Sequence, residues 1–296
     1  MDIISFTKAK RAEQKADNLQ VRFEEKVFEK VAETQEEIQP LLDQLELEGG
    51  GVLKLKPKLY EINETIRIPS NVTLKGSGRS TIIKIPDNAQ FTPETFNFTG
   101  TSSDIYVAIT NKENATNISI RDLFVDGNGD NQPTARSMAG IYLKGVKKSE
   151  VINCEVYNVS YNVQVYDGYR GFCILTEAVE DVTILGGMYE RAGYECIAIR
   201  DSSRLVKIDG VSARDGWQHD LQTVRSEEVV ISNCTFDSIG TDSNGGLTLH
   251  TGNNVSINNC VIRCKDICIK PFDGFRGLNV SNCQLYSSEN PTFMVY

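Results

Sequence analysis

Ile231-Ser-Asn-Cys234, Ile257-Asn-Asn-Cys260 and Val280-Ser-Asn-Cys283 are three copies of one four-residue phrase: a β-branched apolar residue, two small polar residues and a cysteine. Outward from them, Ile208-Asp-Gly-Val211, Ile184-Leu-Gly-Gly187, Val151-Ile-Asn-Cys154 and Ile120-Arg-Asp-Leu123 fit the same frame. The last residues of the seven phrases lie 31, 33, 24, 23, 26 and 23 residues apart in chain order. A repeat of about 23 residues with short alternating strands and no helix in it is one turn of a β-solenoid, whose coils pair and share one continuous core. The expected fold is therefore all-β, a right-handed parallel β-helix of about ten coils. Leu123, Cys154, Gly187, Val211, Cys234, Cys260 and Cys283 should stack as one interior column. Asp122, Asn153, Gly186, Gly210, Asn233, Asn259 and Asn282 should form the turn column beside it, because these residues bend a chain easily. The two long intervals, between Leu123 and Gly187, should carry loop insertions.

The alternating texture begins at Gly51, with Val52 to Leu55, Ile66 to Ile68, Val72 to Leu74 and Ile82 to Ile85 as the first strands. Before it, from about Thr7 to Leu47, the chain is rich in Glu, Lys and Gln. Val21, Phe23, Val27, Phe28 and Val31 recur there at mixed helical spacings, which predicts one or two helices. Pro40 fits a first helical turn ahead of Leu41, Leu42, Leu45 and Leu47, and Gly49-Gly50-Gly51 ends that helix. The predicted division is a helical segment and cap over 1–48 and the β-helix over 49–296. The plain role of the first part is a plug for the open coil. Its functional role would be a homo-oligomerisation stalk or an attachment to a larger assembly.

With 40% hydrophobic and 24% charged residues the 296-residue chain has an ordinary water-soluble composition and can bury a large core. A net charge of −9 and a pI near 5.0 argue against nucleic acid as a partner, since no basic excess replaces counterions along a phosphate backbone. An acidic polysaccharide remains compatible, because it needs only a local cationic groove. No apolar run reaches signal-peptide or membrane-span length, so the expectation is no membrane partner. The protein is expected in the cytoplasm, or outside the cell or on a virion by a signal-independent route. The eight cysteines fit buried filler positions better than a disulfide framework, and Cys264 with Cys268 is too sparse a pair for zinc.

A second strand precedes each phrase by about 13 to 16 residues, and its alternation separates inside from outside. With Ile141, Ile197, Leu221, Leu247 and Ile267 inward, the outward set is Tyr142, Lys144, Arg200, Asp220, Gln222, Thr248, His250, Asp266 and Lys270. Both histidines of the chain, His219 and His250, fall on or beside this stripe.

Several runs on and before the stripe resemble the mannuronan C5-epimerases and, more broadly, the pectate-lyase-like coils that act on uronic-acid polymers. Asp126-Gly-Asn-Gly-Asp-Asn131 resembles the Asp-Gly-Asn-x-Asp-Asn run that precedes the active-site coils of that family, with Arg136 as the cationic residue that follows. Gln218-His-Asp-Leu-Gln222 is similar to a family segment that carries Arg-His, without the arginine. Gly193-Tyr-Glu-Cys196 is similar to the coil before it, with Glu195 where the family has aspartate. The family signature Tyr-Gly-Phe-Asp-Pro-His has no intact match. Tyr161-Asn-Val-Gln-Val-Tyr166 and Tyr169-Arg-Gly-Phe172 compete for its place, so Tyr161 and Tyr169 are alternative tyrosines. The helical lead-in resembles phage tail proteins.

The resemblance implies C5-epimerisation of a polyuronate such as alginate, by proton abstraction and return. Its closest alternative is β-elimination, which shares the first half of the reaction. Either chemistry needs a cation to neutralise the carboxylate, a base and a proton donor. The candidate catalytic residues are His219, Tyr161, Tyr169, Arg200 and Asp220. The candidate substrate-binding residues are Arg136, Tyr142, Lys144, Glu195, Gln222, His250 and Lys270. A glycosidase using Asp220 with Asp266 or Glu195, and a non-catalytic glycan-binding tail protein, are the further alternatives. No cofactor is required. Asp126, Asn128 and Asp130 have the spacing of a calcium loop but lack its glycine and bidentate glutamate, which favours a turn held by Asx hydrogen bonds.

Overall fold

The computed structural model describes residues 28–98, 101–133, 136–159, 170–238, 246–272 and 274–289. Among them, one α-helix, α1 (Ile38–Leu47), stands at the N-terminal end of two stacked-strand sheets. Pro40 lies in its first turn and the three glycines follow its end. Ile38, Leu42 and Leu45 are buried against the first coil, so the helix plugs the core that an open solenoid would expose to water. The expectation of helix immediately before it is corrected. Glu29–Ala32 is a strand in parallel register with Val52–Leu55, because a strand there pairs the backbone edge of the first coil, which an all-helical segment would leave bare. Residues 1–27 lie outside the described part.

Most coils contribute one strand to a nine-stranded sheet and two to a 17-stranded sheet, while Val72–Lys84 and Ser119–Asp126 each run through the turn as one strand. In the larger sheet Lys147–Ile152, Glu180–Leu185, Arg204–Asp209, Glu227–Ser232, Asn253–Asn258 and Arg276–Ser281 run in parallel, and each is followed by a second strand across a sharp turn. That turn is the repeated phrase. Asp122, Asn153, Gly186, Gly210, Asn233, Asn259 and Asn282 all have φ between 50° and 66°, the left-handed region that Gly, Asn and Asp enter most cheaply. Cys154, Cys234 and Cys260 stack behind it as buried thiols in the continuous core, with Cys283 partly buried at the end. All eight cysteines are free. The glycine at 187 is required by closeness as well as by φ, since a Cβ there would sit 2.0 Å from the carbonyl oxygen of Cys154.

The turn column is also a side-chain ladder: Asn259 Nδ2 donates to Asn233 Oδ1 at 2.7 Å, and Asn233 Nδ2 to Asp209 Oδ1 at 2.7 Å. Asn259→Ala removes the bond and strains the left-handed backbone, and should cost about 1–2 kcal/mol in urea unfolding. Asn259→Gly should recover the backbone part. Equal losses for the two variants would show that the backbone conformation carries none of the effect.

The nine-stranded sheet positions the candidate site. Its strands are β1 (Ile66–Ile68), β2 (Glu94–Phe98), β3 (Thr101–Asn111), β4 (Met138–Lys144), β5 (Gly171–Glu177), β6 (Glu195–Arg200), β7 (His219–Val224), β8 (Leu247–His250) and β9 (Ile269–Pro271). All pairings are parallel except that of β2 with β3, an antiparallel hairpin folded back over the outside of the sheet. No helix among the described residues is long and apolar enough to cross a membrane.

Candidate functional site

Ile141, Ile174, Ile197, Leu221, Leu247 and Ile269 are in register and face the core. The last coil is shifted two residues from the expected inward Ile267, which leaves Lys270 outward. Two outward columns follow: Tyr142, Leu175, Ala198, Gln222, Thr248 and Lys270, and beside it Lys144, Glu177, Arg200, Val224 and His250. A third outward row opens the strands, with Ala139, Phe172, Glu195 and His219 in register.

One predicted orientation is corrected. Asp220 points inward, fully buried, and its Oδ1 accepts a 2.5 Å hydrogen bond from Ser238 Oγ. It follows His219 as Cys196 follows Glu195 and Cys173 follows Phe172, and both of those thiols lie in the main core. The chain turns a corner at this position, so two successive residues face inside and strict alternation fails. Asp220 is therefore absent from the outer surface, and burial pushes its carboxyl up to about 8.

Glu195 is the unusual group on the outer face. It is fully buried between Phe172 and His219 on the neighbouring strands, and neither carboxylate oxygen has a hydrogen-bond partner. Burial pushes its carboxyl up to about 8, while the charges of Arg200 and Arg170 pull the other way. The Arg170 guanidinium carbon lies 4.4 Å from the centre of the Tyr194 ring, whose edge meets Phe172 at 5.9 Å. Arg200, 3% exposed, donates to Gln222 and approaches the Phe172 ring at 5.9 Å. His219 is 6% exposed and sits one strand, about 4.8 Å, from Glu195. The fold thus gathers Glu195, His219, Arg200 and Gln222 from the predicted set.

The other predicted residues fall elsewhere. Tyr142 and Lys144 lie two strands away, where Glu177 accepts from Tyr142 Oη at 2.6 Å and faces Lys144 Nζ at 3.5 Å. Burial, with the Glu177 carboxylate beside it, drives the Tyr142 phenol far above its ordinary pKa. Arg136 stacks 3.9 Å over the Tyr106 ring and donates to Ala89 O at 2.5 Å, away from Glu195. His250 stacks on Phe272 at 4.1 Å with the rings 9° apart, and burial, Arg200 and Lys270 hold its imidazole below the usual pKa. Lys270 reaches over the same Phe272 ring at 5.2 Å. Tyr161 and Tyr169 lie outside the described residues.

The Asp126 run forms a tight local turn. Asn128 N donates to Asp126 Oδ1 at 2.8 Å, Asn131 Nδ2 to Asn128 Oδ1 at 2.7 Å, and Asp130 faces Asn158 and Arg191. Among the described residues no three His, Cys, Asp or Glu side chains converge on a metal position.

Arg170, Tyr194, Phe172 and Glu177 escaped the outward count. The signal was present in the apolar alternation around Ile174, but the 33-residue interval hid the strand that carries it.

The model of the right-handed β-helix region matches residues 139–296. This chain belongs to that family. No curated protein matches it by sequence. Among solved structures, the β-helix is similar to gene product 12 of bacteriophage phi29, with 12% identity, a TM-score of 0.58, and cover of 84% of this chain and 40% of that one. It also matches an ORF18 protein of Geobacillus virus E2 at 12% identity and TM-score 0.46, over 81% of this chain and 54% of that one. The A-module of a mannuronan C-5 epimerase from Azotobacter vinelandii matches at 12% identity and TM-score 0.34, over 89% and 96%. The chain thus spans about half the length or less of the two viral proteins. At these identities the likeness is one of fold.

Proposed function

We propose that the β-helix acts on a uronate-containing polysaccharide by acid–base chemistry at C5 of a bound sugar. The observation that carries this is the buried, unpartnered carboxyl of Glu195 beside His219, with Arg170 and Arg200 as its nearest charges. A carboxyl held neutral at pH 7 is a proton donor, and a cation pair, one member buried and one half-buried, neutralises a substrate carboxylate, which is what makes the adjacent C5 proton removable. In this reading Arg200, oriented by Gln222, and Arg170 hold the uronate carboxylate, His219 is the base and Glu195 the acid.

Glu195 and His219 rise from the same face of one sheet, so both meet the sugar from one side. That favours β-elimination over the epimerisation that the sequence resemblance put first. His219 takes the C5 proton, the C5 electron pair forms the C4–C5 double bond, the C4–O bond breaks, and the leaving oxygen takes the Glu195 proton. Epimerisation needs a donor on the opposite face of the ring.

The test is incubation with mannuronan and with pectate in deuterated water. An unsaturated product with strong ultraviolet absorbance is the expected result. Deuterium at C5 without that absorbance would replace elimination by epimerisation, and silence with both polymers would overturn the reading. Arg200→Lys keeps a charge but loses the planar two-pronged donor, and should weaken binding of uronate oligomers about tenfold by titration calorimetry. Unchanged affinity would remove Arg200 from the carboxylate site.

A further inference from the structure

One outward column of the nine-stranded sheet, together with the row that opens the strands, changes character half-way along. Over β4 to β6 they carry Ala139, Tyr142, Phe172, Leu175 and Ala198, all at most 1% exposed. Phe96, Ile105 and Val107 of the β2–β3 hairpin pack on them as a second apolar cluster, separate from the main core. Phe96 meets Phe172 edge-on at 6.0 Å. Polar clamps fix the hairpin there. Asn97 N and Nδ2 donate to Glu177 at 3.3 and 3.2 Å, Lys144 Nζ donates to Thr95 O at 2.8 Å, and Arg67 pairs with Glu94. Burial of so much aromatic and aliphatic surface makes this a fixed wall.

From β7 onward the Tyr142–Leu175–Ala198 column becomes Gln222, Thr248 and Lys270, while the column beside it, charged at Lys144, Glu177 and Arg200, runs on through Val224 and His250 to Phe272. The Thr248 hydroxyl is buried without a partner, while His250, Lys270 and Phe272 are half-buried, with the two rings stacked. Hydroxyl-complementary groups beside an aromatic platform suit sugar rings. Glu195 and His219 stand at the boundary, one on the last strand of the apolar half and the other on the first strand of the polar half, in which Gln222 and Thr248 are buried and His250, Lys270 and Phe272 half-buried.

We infer that the hairpin closes the groove at its N-terminal end, so that a glycan lies over β7 to β9 and presents its terminal sugars, and not an internal stretch, to Glu195 and His219. This rests on the proposed function. A chain passing through in both directions would have to displace the Phe96 cluster, at a cost of several buried aromatic contacts, whereas a chain end needs no displacement.

The experiment is time-resolved sizing of a long polyuronate and of its unsaturated products, using the full-length protein. Short products of one or two sizes from the first turnovers, with the polymer length nearly unchanged, are expected. A rapid fall in polymer length with a broad product ladder would overturn the closed-end inference and leave the polysaccharide activity standing. Absence of any unsaturated product would overturn the activity and with it this inference. In Phe96→Ala, or in the milder Asn97→Gly if the first does not fold, the internal fraction should rise severalfold. An unchanged fraction in a folded variant would overturn the hairpin as the barrier.

Discussion

Glu195→Gln is expected to lower kcat on a polyuronate by about 10²- to 10⁴-fold, the usual contribution of a positioned proton donor. Glutamine matches the shape of the protonated acid and removes only its transferable proton, so the packing between Phe172 and His219 should survive. The pH profile separates this role from a structural one. Desolvation raises the Glu195 carboxyl to about 8, so the wild-type donor is protonated at neutral pH and loses its proton as pH rises through about 8. Wild-type kcat/KM should therefore fall on the alkaline side, and the residual activity of the variant should lack that limb. A variant within about threefold of wild type, or one that keeps the alkaline limb, would show that Glu195 is not the donor.

The second large effect concerns stability. Asp220 has an unfolded-state pKa near 3.8 and a folded-state value of about 8, raised first by burial and opposed by the Ser238 hydrogen bond. An acid whose folded pKa is raised keeps its proton better when folded. Its contribution is thus most favourable at low pH, and stability is lost as pH climbs from about 4 to about 8, where only the unfolded chain has released the proton. A span of about four pH units corresponds to several kcal/mol at most, on the order of 5. Asp220→Asn cannot ionise. It should match wild type at about pH 4 and below, exceed it at pH 9 by a Tm difference on the order of 5–10 °C, and flatten the slope between them. Parallel Tm-versus-pH lines for the two proteins would show that Asp220 is not ionising in the folded interior. Glu195→Gln should flatten part of the remaining slope, because its carboxyl is shifted in the same direction.

These two carboxyls mark where sequence patterning succeeded and where it stopped. The phrase at 231–234 and its six relatives located the turn, and every residue assigned to the turn column has a left-handed backbone. Local chemistry sufficed there, because the need for Asn, Asp or Gly is set within a single residue. The outward stripe was legible in part: Arg200, Gln222, His250 and Lys270 face outward because period-two alternation holds along a straight strand. Asp220 failed because the strand bends at its second residue. The functional weight of Glu195 was under-read because burial cannot be seen from a strand alone. A glutamate at the start of a strand looks like a solvated end until Phe172 and His219 are stacked on either side of it.

By itself the sequence determined the coil and the fact that its small residues stack, because both follow from a repeat that copies the same local constraint into every turn. Tertiary structure alone decided the wall. Nothing local in Glu94–Phe98 says that it will fold back over β4 and β5. That placement depends on Phe96 meeting Phe172 and on Asn97 meeting Glu177, residues 76 and 80 positions apart, whose attraction exists only after the coils have formed. The stacking of Phe172 and His219 on either side of Glu195 is likewise tertiary, and it separates a neutral, unpartnered carboxyl from an ordinary surface carboxylate.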